Sequence, residues 1–516
     1  MDPELHYCLP PLGRLDLANV QDLIRTRSYF VLHAPRQTGK TSTLLALRDL
    51  LNRDGACRCV YANLEVAQTA RQDVGRGMRA ILTQLALSAS LTLEDDAVGG
   101  YWPETLEYSG PDAVLSAVLT RWSRSESRPL VLLLDEVDAL IGDTLISLLR
   151  QLRAGYHLRP RAFPQSVVLC GVRDVRDYRI HSAAEDEVIT GGSAFNIKAE
   201  SLRLGDFTEG DVRTLLDQHR AETGQSFTPE AVDVVWDATR GQPWLVNALA
   251  EQARRRAPDR REEISAQDVL EAREALILRR DTHLDQLTDK LQEPRVRRVI
   301  GPLLSDTDRR SVVAEDDLQY VRDLGLITRK SPVRIANPIY REVIPRTLTW
   351  TTQERMEQET SWYVTEDGGL DLEALLRAFQ QYFREHSEHW MERFAYREAG
   401  PQLLLQAFLQ RIVNAGGRIE REYGQGRRRV DLIVVWGRGP DPAGQQRAVI
   451  ECKVVHRGLD RTIREGLEQT RAYMDLSGAA EGHLIVFDRD WGRSWDEKVF
   501  CETRTDGGRP VTVWGM

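Results

Sequence analysis

The stretch YFVLHAPRQTGKTSTLLALRDLLNR, residues 29–53, decides the fold of the N-terminal part of the chain. It opens on a short apolar run, YFVLHA (29–34), of the kind that forms a buried parallel strand. It closes on TSTLLALRDLLNR (41–53), whose apolar residues recur at helical spacing. Between them the chain must turn sharply, and Gly39 supplies the backbone freedom to do so with successive N–H groups facing one point. Lys40 follows, with reach for β- and γ-phosphates, and then Thr41, whose hydroxyl is a magnesium ligand. The helix that starts there adds the positive end of its dipole. The candidate nucleotide contacts are Pro35, Arg36, Gln37, Thr38, Gly39, Lys40, Thr41 and Ser42. Ala34 stands where such loops usually carry a first glycine, which is tolerable wherever φ stays negative.

A second stretch, RPLVLLLDEVD (128–138), is an apolar strand ending in two acids. Asp135 is placed to hold magnesium, and Glu136 to polarise an attacking water. CVYANLE (59–65) and SVVLCGV (166–172) are further strand-like runs, so residues 1–198 read as a parallel α/β core that binds and hydrolyses ATP with Mg2+. Asn63, Glu65, Arg71 and Arg173 are weaker candidates around the same site, and an ordinary loop role suits the first two better.

At 516 residues the chain exceeds one core, and several domains are expected. A net charge of -9 argues against a generally basic nucleic-acid coat but allows a locally basic groove. The apolar runs are too short for a membrane span, the N-terminus has no signal-like region, and six scattered cysteines make no disulfide framework. A cytoplasmic protein with reduced thiols and no membrane partner is the expectation. Residues 199–284 turn helical, with Thr208 as an N-cap and Gly241 ending a helix. Residues 285–350 suggest a small winged helix, 351–394 a charged helical linker, and 395–516 a run of helix, three strands, helix and strand.

PRQTGKTS, LLLDEVD and GQPWLV (241–246) together resemble the AAA-like branch of the STAND and archaeal-type ATPases. The resemblance covers about residues 1–350 and implies a P-loop core, a helical lid and a winged helix. It places Gly241 and Pro243 of the lid near the nucleotide, and IANPIYREVIPR (335–346) resembles the closing winged-helix signature. Glu315, Asp316, Asp317 and Asp323 on the presumed recognition helix repel phosphates, and only Arg329, Lys330 and Arg334 on the wing attract them. A structural or regulatory winged helix is therefore expected.

The C-terminal segment carries separate chemistry. RRRVDLIVVW (427–436) places Asp431 near the start of one strand, and AVIECKVV (448–455) places Glu451 and Lys453 two apart, on one face of the next. A turn near Asp441–Pro442 sets Asp431 opposite Lys453. Two carboxylates held together repel unless a cation sits between them, so Asp431 and Glu451 are candidate ligands of Mg2+ or Mn2+. Lys453 then orients the nucleophile or neutralises a phosphate. This Asp…Glu-x-Lys pattern and its element order resemble the PD-(D/E)XK nucleases, implying a restriction-endonuclease-like α/β domain, although Val430 replaces the motif's proline. Glu398 on the preceding helix and Gln469-x-x-x-Tyr473 on the following one resemble the elements of RecB-like members, and Arg427, Arg428 and Arg429 offer a local attractor for phosphate.

The fold expected is thus multidomain α/β: a P-loop NTPase core with helical lid and winged helix, then a nuclease-like α/β domain. The function expected is ATP-regulated, Mg-dependent phosphodiester cleavage, with nucleic acid as partner and DNA favoured over RNA. Self-assembly into a homo-oligomer is compatible with this reading. Resemblance to prokaryotic conflict systems implies a setting in antiviral or mobile-element defence. The alternative is an ATP-driven assembly switch that binds nucleic acid or a protein partner without cleaving.

Overall fold

A computed structural model describes residues 6–173, 179–181, 188–190, 195–279, 290–304, 313–345, 363–365, 369–393, 401, 404–409, 418–421, 431–437, 445–455, 458–488, 490, 492–505 and 508–516. They fall into two compact units, Met1–Asp281 with Leu318–Ile339, and Thr282–Asp317 with Tyr340–Met516.

In the first unit five parallel strands form a sheet of order β2-β3-β4-β1-β7. These are β1 (Tyr29–His33), β2 (Arg58–Asn63), β3 (Leu130–Asp135), β4 (Ser166–Gly171) and β7 (Lys198–Arg203), with β5 (Arg179–His181) and β6 (Val188–Thr190) pairing separately as an antiparallel hairpin. The apolar runs of the first four strands follow from burial on both sides. On one side helices α1 (Leu17–Arg25) and α2 (Lys40–Asp54) cover Phe30, Leu32, Cys59, Val131, Leu133 and Val168. On the other, α3 (Val74–Leu93), α4 (Ala97–Ser109), α5 (Val114–Ser125) and α6 (Asp143–Ala154) cover Tyr29, Val31, Val60, Leu132, Leu134 and Val167. The edge strand β7 has no apolar run to betray it: KAESLR is only partly buried.

Helices α7 (Glu209–Thr223), α8 (Pro229–Thr239), α9 (Pro243–Arg256) and α10 (Ala266–Arg279) follow. Thr208 does cap α7, in a reciprocal capping box with Asp211. Proline at N1 begins both α8 and α9, where its missing N–H costs nothing. Within the first unit, residues 326–336 form a tight hairpin: Ile327 bridges Ile335, and the Ala336 N–H donates to the Leu326 carbonyl at 2.9 Å.

In the second unit α11 (Pro294–Leu304) precedes α12 (Glu315–Asp323), whose last turns belong to the first unit. The acids of α12 are partly committed already: Arg295 and Arg298 donate to the two oxygens of Asp317 at 3.0 and 2.7 Å. After helix α13 (Leu372–Arg393) come β8 (Arg418–Arg421), β9 (Leu432–Trp436), β10 (Gln446–Val454), helix α14 (Leu459–Ser477), β11 (Glu481–Phe487), helix α15 (Trp495–Lys498), β12 (Phe500–Arg504) and β13 (Val511–Gly515). The strands form one mixed sheet of order β12-β13-β11-β10-β9-β8.

The order of three strands, helix and strand expected here is present, with a further hairpin, β12–β13, added at the edge. The expectation of a connecting segment over 351–394 needs correction in its second half. Leu372, Leu375, Leu376, Phe379 and Phe383 of α13 are buried against Leu432, Val434, Ile450 and Trp514, so α13 is core of this unit. Its amphipathic pattern recorded packing on a sheet, not a free connector.

Candidate functional sites

The phosphate-binding loop sits at the carboxyl end of β1, between neighbours β4 and β7. Ala34, at 0% exposure, is not among the positive-φ residues, and its N–H donates to the Gly171 carbonyl. The turn into α2 is made instead by Gln37 at φ +56° and Gly39 at φ +87°. The left-handed region is open to glycine and costly for glutamine, which marks Gln37 as a point of backbone strain. Thr38 Oγ1 donates to the Pro35 carbonyl at 2.7 Å and braces the loop. Lys40 Nζ is folded over the loop, donating to the carbonyls of Ala34 and Pro35, each at 3.2 Å.

Asp135 ends β3 fully buried and receives three donors. Thr41 Oγ1 donates to Oδ2 at 2.7 Å, Tyr61 OH to the same oxygen at 3.0 Å, and the Glu136 N–H to Oδ1 at 3.0 Å. The structure therefore joins the two motifs that lie far apart in sequence. Glu136 takes φ +54°, another strained position, and burial raises its carboxyl above the ordinary range. Lys40 and Arg36 oppose that rise, while Asp138 and Asp135 add to it. Cys170, at the end of β4, lies beside Asp135; burial and that carboxylate push its thiol well up.

The weaker candidates are placed less centrally. Asn63 accepts from the Glu65 N–H at 2.8 Å, capping the short helix Leu64–Ala70, which is the ordinary loop role. Arg71 stands at φ +50° and its carbonyl receives the Thr144 N–H. Arg173 lies 5.1 Å from the ring centroid of Tyr320. Pro243 opens α9 as its first residue.

Gly241 has φ +78°, and a Cβ there would stand 2.0 Å from the Phe207 carbonyl oxygen. Phe207 and Gly241 are also tied by an N–H···O bond of 2.8 Å. Gly241→Ala combines left-handed strain with a clash against backbone, so it should lower unfolding free energy by about 2–3 kcal/mol, read by thermal unfolding without nucleotide.

Two residues escaped the motif reading. Arg14 donates to the carbonyls of Thr38, at 2.7 Å, and Gly205, at 2.8 Å, and lies over the Phe207 ring. It thus ties the phosphate loop to the segment that leads into α7. Tyr61 reaches Asp135 from the neighbouring strand, and only the β2–β3 register reveals that.

In the second unit, β9 pairs antiparallel with β10 so that Leu432 faces Ile450. Asp431 is then opposite Glu451, not Lys453 as the assumed turn implied. The slip is even, so the side chain stays on the intended face. That face is the one covered by α14, because Val449, two residues before Glu451, packs with Ile463, Tyr473 and Met474. Glu451 is fully buried and pairs with Lys453 Nζ at 2.8 Å. Asp431 Oδ2 accepts from the Cys452 N–H at 2.7 Å. Burial raises the Cys452 thiol well above its usual value, with Asp431 and Glu451 adding to the rise.

Gln469 and Tyr473 lie on α14, which covers this face; Tyr473 is buried, and the Gln469 Oε1 is buried with no hydrogen-bond partner among the described residues. Glu398 and Arg427–Arg429 lie outside the described residues. Among the described residues no group of three or more His, Cys, Asp and Glu could hold a metal, and no helix is long and apolar enough to cross a membrane.

Residues 23–178 match the AAA domain family. This part of the chain is an AAA-type P-loop ATPase domain, and it holds β1 to β4, four of the five strands of the parallel sheet. Solved structures similar to the chain include the RuvB Holliday junction branch migration motor of Thermotoga maritima, at 14% identity over 63% of this chain and 94% of that one, with a TM-score of 0.33. Another is Cdc6p from Pyrobaculum aerophilum, at 15% identity over 67% and 94%, with a TM-score of 0.35. A third is domain III of the replication initiation protein DnaA of Thermotoga maritima, at 12% identity over 53% and 96%, with a TM-score of 0.32. Comparison with curated proteins finds no match.

Proposed function

We propose that the chain is an ATP-hydrolysing switch whose P-loop domain controls a metal-dependent nuclease site on Asp431, Glu451 and Lys453. The observation that carries the first half is the junction of Thr41 and Asp135 at 2.7 Å beside Lys40. A hydroxyl and a carboxylate oxygen are the donor types a hard divalent cation takes, so the residues fit magnesium. Lys40 and the N–H groups of the loop suit the phosphates, with Arg36, Gln37 and Ser42 at its rim. Magnesium, when bound, neutralises phosphate charge. Glu136, the residue that follows the end of β3, then accepts the proton of the attacking water.

That role has a pH signature. A general base works when ionised, and the raised pKa of Glu136 means that the ionised fraction is lost at a pH above the ordinary 4.5. Hydrolysis should fall along an acid limb displaced upward from 4.5, and Glu136→Gln should remove that limb. Turnover of the same variant should drop by about 10²–10⁴-fold while ATP still binds. Phosphate release measured from pH 4 to 8, with ATP affinity alongside, checks both; a variant as fast as wild type removes Glu136 from the mechanism.

The second half is supported by Asp431 and Glu451 facing each other across β9 and β10, with Lys453 beside them. Divalent metal between the carboxylates would relieve their repulsion, and Lys453 would meet the phosphate. Gln469 and Tyr473 on α14 would close the site, and the residue 285–350 region would act as a winged-helix regulator. DNA is the favoured substrate, and defence against foreign DNA the favoured setting. Incubating the purified chain with plasmid and single-stranded DNA in magnesium or manganese tests this half.

A switch that binds without cutting is the second reading, favoured by one observation. Asp431 already accepts a backbone N–H and Glu451 is already paired with Lys453, so each carboxylate has a partner within the protein. DNA retention without any product in either metal would select it.

A further inference from the structure

The site above leaves one of the donors to Asp135 without a role. Asp135 is 0% exposed, so its carboxylate depends on protein donors for compensation. Two of these converge on a single oxygen, Oδ2: the hydroxyl of Thr41 at 2.7 Å and the phenol of Tyr61 at 3.0 Å. They differ in origin. Thr41 belongs to the phosphate loop's own helix, α2, and its oxygen is the one suited to ligate a cation. Tyr61 stands on β2, whose register against β3 is continuous from Arg58↔Leu130 to Asn63↔Asp135, and its ring packs at the edge of the core beneath α1 and α2. The tyrosine is therefore held by the sheet, independent of anything the loop does on binding.

We propose that Tyr61 is a positioning residue for magnesium: its phenol holds the Asp135 carboxylate in orientation, so that Oδ2 keeps its place while Thr41 Oγ1 turns its lone pairs to the cation. A hydroxyl carries one proton and two lone pairs. With Thr41 as the one donor to Oδ2, that oxygen would follow the rotation of that side chain as it adjusts to a metal, the Glu136 N–H holding only Oδ1. With a second donor fixed on β2, Oδ2 keeps its place while Thr41 rotates. The phenol, protonated at neutral pH, gives its one proton to Oδ2. The inference rests on the ATPase reading and adds a residue outside both nucleotide motifs.

Tyr61→Phe keeps the ring and removes only the oxygen, so it isolates the contact. ATP affinity of the full-length chain is measured with a fluorescent ATP analogue in excess chelator and then across a magnesium titration. The expected result is unchanged affinity in chelator and a half-saturating magnesium concentration raised about tenfold, the scale of one hydrogen bond to a charged group. An unchanged magnesium midpoint overturns the proposal. So does an equal loss with and without magnesium, which is what a merely structural tyrosine would give. Wild-type protein that binds no ATP in either condition overturns the ATPase reading itself, and this separates the two failures.

Discussion

Lys40→Ala should abolish ATP binding, raising the dissociation constant at least about a hundredfold while leaving the apo fold intact. Lys40 is 5% exposed and already folded over the loop, its ammonium on the carbonyls of Ala34 and Pro35. Such a cation needs little reorganisation to meet phosphate oxygens. Each charge-assisted bond it makes contributes about 1.5–3 kcal/mol, and two of them amount to two orders of magnitude or more in affinity. The two carbonyls lose a donor as well, but the Thr38 brace to Pro35 and the Arg14 tie to Thr38 remain, so the loop should keep its shape. Titration with a fluorescent nucleotide, paired with thermal unfolding of the apo proteins, checks this. Affinity within threefold of wild type would mean that the loop is not the nucleotide site.

The second large effect concerns Glu451 and Lys453. Glu451→Gln keeps volume and removes the charge, and should lower cleavage by at least about 10²-fold. Lys453, 17% exposed at its side chain, can turn toward solvent in that variant, so the fold should tolerate it. Lys453→Met is different, because it leaves a carboxylate in the core without its cation. The cost expected is about 3–5 kcal/mol. The double variant should regain most of that stability and none of the cleavage, a non-additivity that only a directly coupled pair produces. Chemical denaturation of the four proteins, followed by a cleavage assay on each, is decisive. Equal cleavage by Glu451→Gln and wild type would remove this cluster from any catalytic role.

How much was legible in the sequence follows from what each feature demands of its residues. Strands buried on both faces must be apolar throughout, so β1 to β4 announced themselves, while β7 and β12 at sheet edges did not. The P-loop and the Asp135–Glu136 pair were legible because phosphate and metal impose residue types at fixed spacing. The Thr41–Asp135 contact needed only the assumption that the two strand ends share one edge. Tyr61 and Arg14 were invisible, since each acts through partners distant in sequence and neither type is unusual where it stands. In the second unit, alternation puts Asp431, Glu451 and Lys453 on one face, and the hairpin register differs from the expected one by two residues. Periodicity also showed α13 as amphipathic without saying what its apolar side would meet; the answer, the sheet's own core, depends on residues more than 40 positions away.

The most direct test of the account is the rate of DNA cleavage with and without ATP, in magnesium, for wild type, Lys40→Ala and Glu451→Gln. The account predicts that wild type cuts and that ATP changes its rate. It predicts further that Lys40→Ala cuts at a rate indifferent to ATP and that Glu451→Gln does not cut at all. Equal cleavage by wild type and Glu451→Gln, or an ATP effect that survives in Lys40→Ala, would contradict it.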